Sequence, residues 1–437
     1  GGFFNKISGG DIVITGGTVN ATGGVKAAGI GTGFSDQQTE DGRSITISGG
    51  TVIANGGSDA AGIGGGYACK EASITSITIS GGTVTANGGA AGAGIGSGYG
   101  STSKMTTSIS IGGDAVVNAK GGDDEDYGGA GIGSGGASGG IGDITISGGD
   151  VTATGGTSSG GVEYSGAGIG SGGYSRVLDL EGEPPYYKPG TGEITIDGGI
   201  VKATGGTGAA GIGDGKSGKG GDFSTGTNGQ AIIYASSITD KDDSDWNGIV
   251  FQGDTGTVYG DVTLQEDLEI GTDETLTIGK DASLTVPDGK TLTNKGTVTT
   301  EEGGTLTGNI TNAPPKITTE GLSEGTVNTA YNQTLAADNN PTSWSVTNGA
   351  LPNGLTLENG TISGTPTAAG TSTFTVKANN NYGSDSKSLS ITIGAQTNVP
   401  VTGVTLNKSE TTLTVGGTET LTATITPDTA TNKTVTW

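Results

Sequence analysis

The fold is decided by residues 77–96, ITISGGTVTANGGAAGAGIG, because this stretch recurs along the chain with small variations. Its Ile-x-Ile and Val-x-Ala segments alternate apolar and polar residues with the period of two that is typical of β-strands. A Gly-Gly pair follows each segment and favours a tight turn, since glycine adopts positive φ without steric cost. The stretch ends in Ala-Gly-Ile-Gly, called the closing motif below. One copy therefore predicts three short strands joined by turns.

The repeat occurs six times. Its first isoleucines are Ile12, Ile45, Ile77, Ile109, Ile144 and Ile194, and the isoleucines of the closing motifs are Ile30, Ile63, Ile95, Ile132, Ile169 and Ile212. Each copy predicts one coil of a β-solenoid, in which successive coils stack about 4.8 Å apart with like residues over like. Such a coil needs few core residues, which explains how a chain with 92 glycines and 30% hydrophobic residues folds.

The length of the repeat varies at one place. Most insertions follow the closing motif and others directly precede it in repeats four and five, at residues 33–43, 68–76, 97–108 and 172–193, and at residues 123–129 and 157–166. Stacked coils bring these insertions to one edge of the solenoid. Insertions confined to one face often mark a binding face.

The repeat resembles right-handed parallel β-helix proteins that bacteria secrete. It is most similar to calcium-dependent, pectin-binding cell-surface β-helices, whose repeats contain Ile-Ser-Gly-Gly-Thr. Those repeats tend to carry Gly-Asp-Gly-Ile-Asp where this chain has Gly-Ala-Gly-Ile-Gly, for example at residues 92–96. The resemblance implies a right-handed parallel β-helix over residues 1–227. It does not carry calcium or pectin binding over, because the acidic ligands are absent at the matching positions.

The repeat pattern changes after residue 228, and a shorter period begins at Val262. Apolar runs at 231–234 and 248–251 predict two more buried strands, and Leu-x-Ile or Leu-x-Val triplets then recur about every eight residues, as at 276–278 and 284–286. Residues 228–312 are therefore predicted to be further solenoid rungs of smaller cross-section that cap the first domain. This part resembles the C-terminal region of many Gram-positive surface β-helices.

Two Ig-like modules are predicted beyond Pro314-Pro315. The run LPNGLTL at 351–357, GTISGTP at 360–366 and TFTV at 373–376 resembles an Ig-like domain of bacterial surface proteins and covers residues 313–394. Trp344 and Phe374 are its predicted core residues. Residues 401–437 resemble about half of a bacterial Ig-like group 2 domain. The whole chain is thus predicted to be an all-β protein, a β-solenoid followed by Ig-like β-sandwich modules.

Composition excludes several functions. The chain has no histidine and one cysteine, so histidine catalysis, histidine metal sites, zinc clusters and disulfides within the chain are excluded. A formal charge of −24 disfavours nucleic acid as a partner. No run of 18 apolar residues occurs, so no membrane insertion is expected of this chain. No motif fixes a catalytic residue, and we expect the chain not to be an enzyme.

An aromatic column is the leading candidate for a ligand site. Phe34, Tyr67 and Tyr99 stand four residues after the closing isoleucine, and Tyr174 stands five after it. Repeats four and six break the column with Gly136 and Lys216. Stacked coils would align these rings at the loop edge, where they either bind sugars or seal the loop exits as a structural ladder. The proline-stiffened loop with Tyr186 and Tyr187 is a second candidate for ligand binding.

Two acidic runs are candidate calcium sites, because calcium takes six to eight oxygen ligands. The candidate ligands are Asp123, Asp124, Asp126, Asp242, Asp243 and Asp245. Neither run has the spacing of a known calcium loop, and the alternative is that both are solvated acidic loops. No other cofactor is expected.

These observations predict a monomeric extracellular adhesin, held at the bacterial cell wall or surface by regions beyond this chain. Its β-helix would bind a glycan or host-surface receptor and its Ig-like modules would form a stalk. The alternatives are a passive structural spacer and a polysaccharide-active enzyme or its binding module. Ice binding would need a regular threonine ladder, but the residues after the first Gly-Gly are Thr18, Thr51, Thr83, Asp114, Asp150 and Ile200.

Overall fold

The computed structural model describes residues 10–33, 43–68, 74–101, 106–138, 141–160, 164–174, 192–218, 220–239 and 243–437. These residues form strands and turns without α-helices. The chain divides into two compact units, residues 1–314 with 381–384 and residues 315–380 with 385–437.

The first unit begins with a β-solenoid of wide coils, called the wide helix. Its strands are β1 (Ile12–Ile14), β2 (Thr18–Thr22), β3 (Ile30–Gly31), β4 (Arg43–Asn55), β5 (Ile63–Gly64), β6 (Ile74–Asn87), β7 (Ile95–Gly96), β8 (Thr106–Ile111), β9 (Val116–Lys120), β10 (Ile132–Gly133), β11 (Asp143–Thr154), β12 (Ile169–Gly170), β13 (Ile194–Thr204), β14 (Ile212–Gly213), β15 (Phe223–Ser224), β16 (Ile232–Ala235) and β17 (Gly248–Gln252). Strands of successive coils pair in parallel, as the repeat predicts.

The parallel pairing places like residues over like. Ile45 pairs with Ile77, Val52 with Val84 and Ala54 with Ala86, and the closing isoleucines form a six-stranded sheet of two-residue strands. These side chains are fully buried in one continuous core. The core is narrow, because each coil contributes only three isoleucines, one valine and small alanines. Hydrogen bonds between successive coils satisfy the polar groups of the backbone.

The six residues that follow the first Gly-Gly pair in sequence do not all stack in one column, because the fourth coil departs from the pattern. Thr83 pairs with Val116, not with Asp114, and Val116 pairs with Asp150. The fourth coil has one extra residue in its turn, since Val116 stands five residues after Ile111 whereas Thr83 stands four residues after Ile79, and its second strand therefore starts later. The outward column after the Gly-Gly pair is therefore Thr18, Thr51, Thr83, Val116, Asp150 and Ile200.

A seventh coil follows the six repeats that the sequence shows. Phe223 pairs with Ile194, Ile233 with Val201, and Ile238 forms a bridge to Ile212. Phe223 replaces the usual isoleucine, and its ring contacts Trp246 edge to face at 5.1 Å. The boundary predicted between residues 227 and 228 falls inside this coil.

The rest of the first unit is a second, narrower solenoid, called the narrow helix. Its strands are β18 (Thr255–Tyr259), β19 (Asp261–Thr263), β20 (Leu268–Ile270), β21 (Thr275–Ile278), β22 (Ser283–Val286), β23 (Leu292–Asn294), β24 (Thr297–Thr300), β25 (Thr305–Gly308) and β26 (Ile310–Thr311). Ser283 pairs with Thr305, so a rung is 22 residues long. The predicted period of about eight residues is one side of a three-sided rung.

The two helices share one sheet. In β16 and β17, Ile233 and Val250 point into the core of the wide helix, whereas Ile232, Ile249 and Phe251 belong to the core of the narrow helix. Both faces of this wall are buried, which explains why its two strands read as continuous apolar runs instead of alternating ones.

The second unit contains an Ig-like β-sandwich. Its strands are β27 (Lys316–Ile317), β28 (Gly325–Thr326), β29 (Tyr331–Thr334), β30 (Ala337–Asp338), β31 (Ser343–Gly349), β32 (Leu355–Glu358), β33 (Thr361–Gly364), β34 (Gly370–Asn380) and β35 (Gly383–Gly394). Phe374 is buried in its core and Trp344 packs against that core, as the sequence predicts.

Residues 401–437 form one antiparallel pair, β36 (Gly403–Leu406) and β37 (Ala423–Thr426). Val404, Leu406, Leu413 and Val415 are exposed here. This pair therefore encloses no apolar core of its own comparable to that of the preceding sandwich.

Candidate functional site

The candidate site lies at the loop edge of the wide helix, directly after the two-residue closing strands. In coils two to six, the residue four positions past the closing isoleucine is fixed by a backbone hydrogen bond to the neighbouring coil. The amide of Tyr67 donates to the carbonyl of Lys26, and that of Tyr99 to the carbonyl of Asp59. Lys26 and Asp59 both have a φ near +65°, which turns their carbonyls toward the next coil.

Four tyrosines contact one another in a row along this edge, in two stacked pairs joined by a tilted contact of 45°, and they form what we call the tyrosine ladder: Tyr67, Tyr99, Tyr127 and Tyr164. The ring centroids of Tyr67 and Tyr99 are 5.9 Å apart, those of Tyr99 and Tyr127 5.4 Å, and those of Tyr127 and Tyr164 5.8 Å. All four residues are half-buried. The ladder spans coils two to five without a gap.

Two rungs of the ladder come from a place that the sequence analysis missed. Tyr127 and Tyr164 lie in the insertions before the closing motif, and they pair with each other in parallel. Tyr127 occupies the space of the missing aromatic at Gly136, since a Cβ on Gly136 would lie 2.6 Å from the Cβ of Tyr127. Likewise, a Cβ on Gly173 would lie 1.7 Å from the carbonyl oxygen of Tyr164.

The sequence contains a signal that these two tyrosines take the place of the column residue. Tyr127 and Tyr164 each stand three residues before the alanine of their closing motif, and only in the two repeats that have glycine at the column position. Tyr174, the predicted fourth rung, lies one position past the column. Among the described rings it stacks on no ladder tyrosine, and its amide donates to the carbonyl of Lys216.

Charged side chains surround the ladder, and they act most clearly on Tyr99. The ammonium of Lys26 lies over the ring of Tyr67, 3.7 Å from its centroid. Burial, followed by the neighbouring Tyr127 and Tyr67 and the carboxylates of Asp59 and Asp124, raises the pKa of Tyr99 to about 12. Burial also raises the pKa of Asp59, with Lys26 acting against it and Asp124 adding to it. The phenol of Tyr99 therefore stays protonated at neutral pH, next to the carboxylates of Asp59 and Asp124.

This pKa predicts an alkaline transition. The phenol of Tyr99 has a higher pKa in the folded chain, about 12, than its ordinary value of 10.0. Its contribution to stability is therefore complete below pH 10 and is lost as the pH rises toward 12. In a spectrophotometric titration of the phenolates, Tyr99→Phe should remove one late-titrating group and reduce the loss of stability in that range. An unchanged late phase in this variant would contradict the assignment.

The candidate calcium ligands are dispersed. Asp123 pairs with Lys120 at 2.9 Å and accepts a hydrogen bond from the amide of Thr157 at 2.9 Å. Asp126 and Asp245 are exposed, and Asp243 accepts a hydrogen bond from the hydroxyl of Tyr259 at 3.3 Å. Within the described ranges, no three acidic or cysteine side chains gather as a metal site would require. Phe34, Tyr186, Tyr187 and Asp242 lie outside the described residues.

Three family models match parts of the chain. The beta helix repeat matches residues 12–34, 45–67, 77–99, 144–173 and 194–216, the putative Ig domain matches residues 310–394, and the bacterial Ig-like domain (group 2) matches residues 400–437. The order along the chain confirms the sequence prediction. The fourth coil lies outside these matches although it stacks in register, in keeping with its one extra turn residue and its displaced tyrosine.

No curated protein matches the chain. Among solved structures, the chain is similar to two putative alpha-galactosidases from Bacteroides fragilis NCTC 9343, one of them also described as a melibiase. The identities are 33% and 30%, each match covers 18% of both chains, and the TM-scores are 0.17 and 0.18. An endo-fucoidan hydrolase of glycoside hydrolase family 107 matches with 20% identity over 22% of this chain and 16% of its own, with a TM-score of 0.18. The chain thus spans about a fifth of the length of these structures.

The domain composition fits a surface protein, since bacterial Ig-like domains are typical of extracellular proteins. No helix in the described part of the chain has the length and apolar character needed to cross a membrane.

Proposed function

We propose that this chain is part of a bacterial surface adhesin whose wide helix binds a glycan or host-surface receptor along its loop edge. The Ig-like modules would serve as a stalk. The observation that carries the proposal is the tyrosine ladder. It continues through coils four and five, although its tyrosines there precede the closing motif instead of following it.

The geometry limits how a ligand would bind. Tyr99 and Tyr127 each have a neighbouring ring on both sides, and Lys26 lies over Tyr67. A sugar would therefore meet ring edges and phenol hydroxyls instead of open ring faces. The phenol hydroxyls can donate to sugar oxygens, and the carboxylates of Asp59 and Asp124 can accept from sugar hydroxyls.

The experiment is a glycan-array and host-cell binding screen of the full chain, with and without calcium, followed by the double variant Tyr99→Phe/Tyr127→Phe. This variant keeps the stacked rings and removes only two hydroxyls. We expect it to weaken binding about tenfold, the equivalent of one or two lost hydrogen bonds, with little change in melting temperature. Tyr382→Phe, an exposed tyrosine outside the ladder, is the matched control and should bind like the parent chain.

A passive spacer is the second candidate function. It is favoured by the half-burial of the ladder and by the covered ring faces, which suit a seal for the loop exits. Absence of binding to every glycan and host surface would favour the spacer. Binding that the double phenylalanine variant leaves intact would place the receptor site away from the ladder.

A further inference from the structure

A groove lies where the two helices of the first unit meet. The wide helix has coils of about 32 residues and the narrow helix has rungs of 22, so the cross-section changes abruptly at the shared wall. The step leaves a groove with a volume of about 630 Å³ between the outer face of the last wide coils and the first rung of the narrow helix. We call it the step groove. Its volume lies in the range of ordinary small-ligand sites.

The floor of the step groove is apolar. Ile200, Ile232 and Leu268 line it, and Ile200 stands in the same outward column that carries threonine in the first three coils. Tyr234 also lines the groove, and one face of its ring stacks on Phe251 at 4.8 Å with an interplanar angle of 12°. The outward column that begins with Thr18 therefore ends in an apolar residue, Ile200, at the groove.

The walls of the step groove are acidic. Asp254, Asp267, Glu269 and Glu274 line it against a single cation, Lys202. Two carboxylates are held in place by backbone amides, because Glu274 accepts from Gly271 at 2.8 Å and Asp267 from Thr291 at 2.8 Å. Glu269 pairs with Lys295 at 2.9 Å. Four carboxylates around an apolar floor attract a ligand that carries positive charge on an apolar body.

Hydroxyl groups complete the lining. Thr204 and Ser236 lie along the groove, and Ser236 accepts a hydrogen bond from the amide of Gly205 at 3.2 Å, which leaves its own proton available. Burial, together with the nearby Glu274, raises the pKa of Tyr234 to about 12. Its phenol therefore remains a hydrogen-bond donor at neutral pH. Several neutral hydroxyls suit a ligand that is itself rich in hydroxyl groups.

We infer that the step groove binds an oligosaccharide with free amino groups, such as a chain of de-N-acetylated hexosamines. Its ammonium groups would pair with Glu274 and Asp254, and the apolar side of a pyranose ring would lie over the partly exposed Ile200 and Tyr234. Charge complementarity and the hydroxyl-rich lining favour this occupant over a metal ion. The inference rests on the proposed role in glycan binding, but it uses a surface separate from the tyrosine ladder.

Calorimetric titration of the full chain with two oligosaccharides of equal length tests this inference, one of glucosamine and one of N-acetylglucosamine. Oligolysine of equal charge serves as a cationic peptide. We expect the glucosamine chain to bind at least about tenfold more tightly than the other two, with an affinity that falls as salt is added. Glu274→Gln and Asp254→Asn should each weaken binding about fivefold to tenfold. Glu302→Gln, an exposed carboxylate outside the groove, should not.

Equal affinity for both sugars, equal or tighter binding of oligolysine, or no binding of the glucosamine chain would overturn the inference. Equal losses in Glu302→Gln and Glu274→Gln would also overturn it, since net charge would then explain the effect. Tyr99→Phe/Tyr127→Phe should leave glucosamine binding intact. Failure at the ladder and failure at the step groove can therefore be told apart.

Discussion

Gly133→Ala is expected to unfold the middle of the wide helix, with a loss of at least about 4 kcal/mol in the free energy of unfolding. Gly133 belongs to a column of glycines that follow the closing isoleucines, and its φ is +142°. A Cβ at this position would lie 1.8 Å from the carbonyl oxygen of Gly170 in the next coil. That oxygen accepts the amide of Ser134 at 3.1 Å, so moving it away would break the ladder between coils four and five.

Urea unfolding followed by circular dichroism, combined with limited proteolysis, measures the effect. Because each coil contacts mainly its neighbours, damage should be local, and protease should cut near coil four and leave the flanking coils protected. Gly24→Ala is the matched control, since a Cβ there meets nothing within 4 Å. A loss below about 1 kcal/mol for Gly133→Ala would show that the coils can separate more easily than their contacts indicate.

Gly136→Tyr is expected to destabilise the parent chain by about 3 kcal/mol, because overpacking forces neighbours apart. The new side chain would enter the space that Tyr127 fills, with 2.6 Å between the two Cβ positions. Tyr127→Ala alone should cost about 2 kcal/mol, through lost burial and two lost ring contacts. The double variant would carry its tyrosine at the same column position as Tyr67 and Tyr99.

The double variant should therefore be more stable than the sum of the single effects by at least about 2 kcal/mol. Thermal and urea unfolding of the four proteins of this cycle give the coupling energy. Tyr259→Ala combined with Gly136→Tyr serves as an uncoupled pair, since Tyr259 contacts Trp246 at the other end of the helix. Additive effects in the Tyr127 cycle would contradict the shared ring position, since they would mean that a tyrosine at residue 136 cannot take the place of Tyr127.

Much of the fold is predictable from the sequence, because successive coils carry the same residue types at equivalent positions. Ile-x-Ile, Val-x-Ala and Gly-Ile-Gly set the register, and the structure confirms the parallel β-helix and the Ig-like sandwich. Coil seven was harder to detect, since Phe223 replaces isoleucine and its strands carry few of the repeated glycines. The register of Val116 depends on a turn with one extra residue, whose position the spacing alone does not reveal.

The candidate site was predictable only in part. Tyr67 and Tyr99 share a position in the repeat, so their stacking follows from the register. Tyr127 and Tyr164 reach the same edge from another part of the coil, and that requires knowing that Gly136 leaves room for a ring. The step groove depends on the difference in width between two solenoids, which is a property of the assembled coils and of no single motif.

The equal register of the wide coils also bears on how such a chain can change during evolution. Recombination between two repeats would delete or duplicate a whole coil, and the joint would still place isoleucine on isoleucine and glycine on glycine. Each event would change the reach of the helix by about 4.8 Å, the distance between strands. The wall of β16 and β17 is the exception, because its two faces serve two different cores. Length can therefore vary in the repeats while the junction with the narrow helix stays constant.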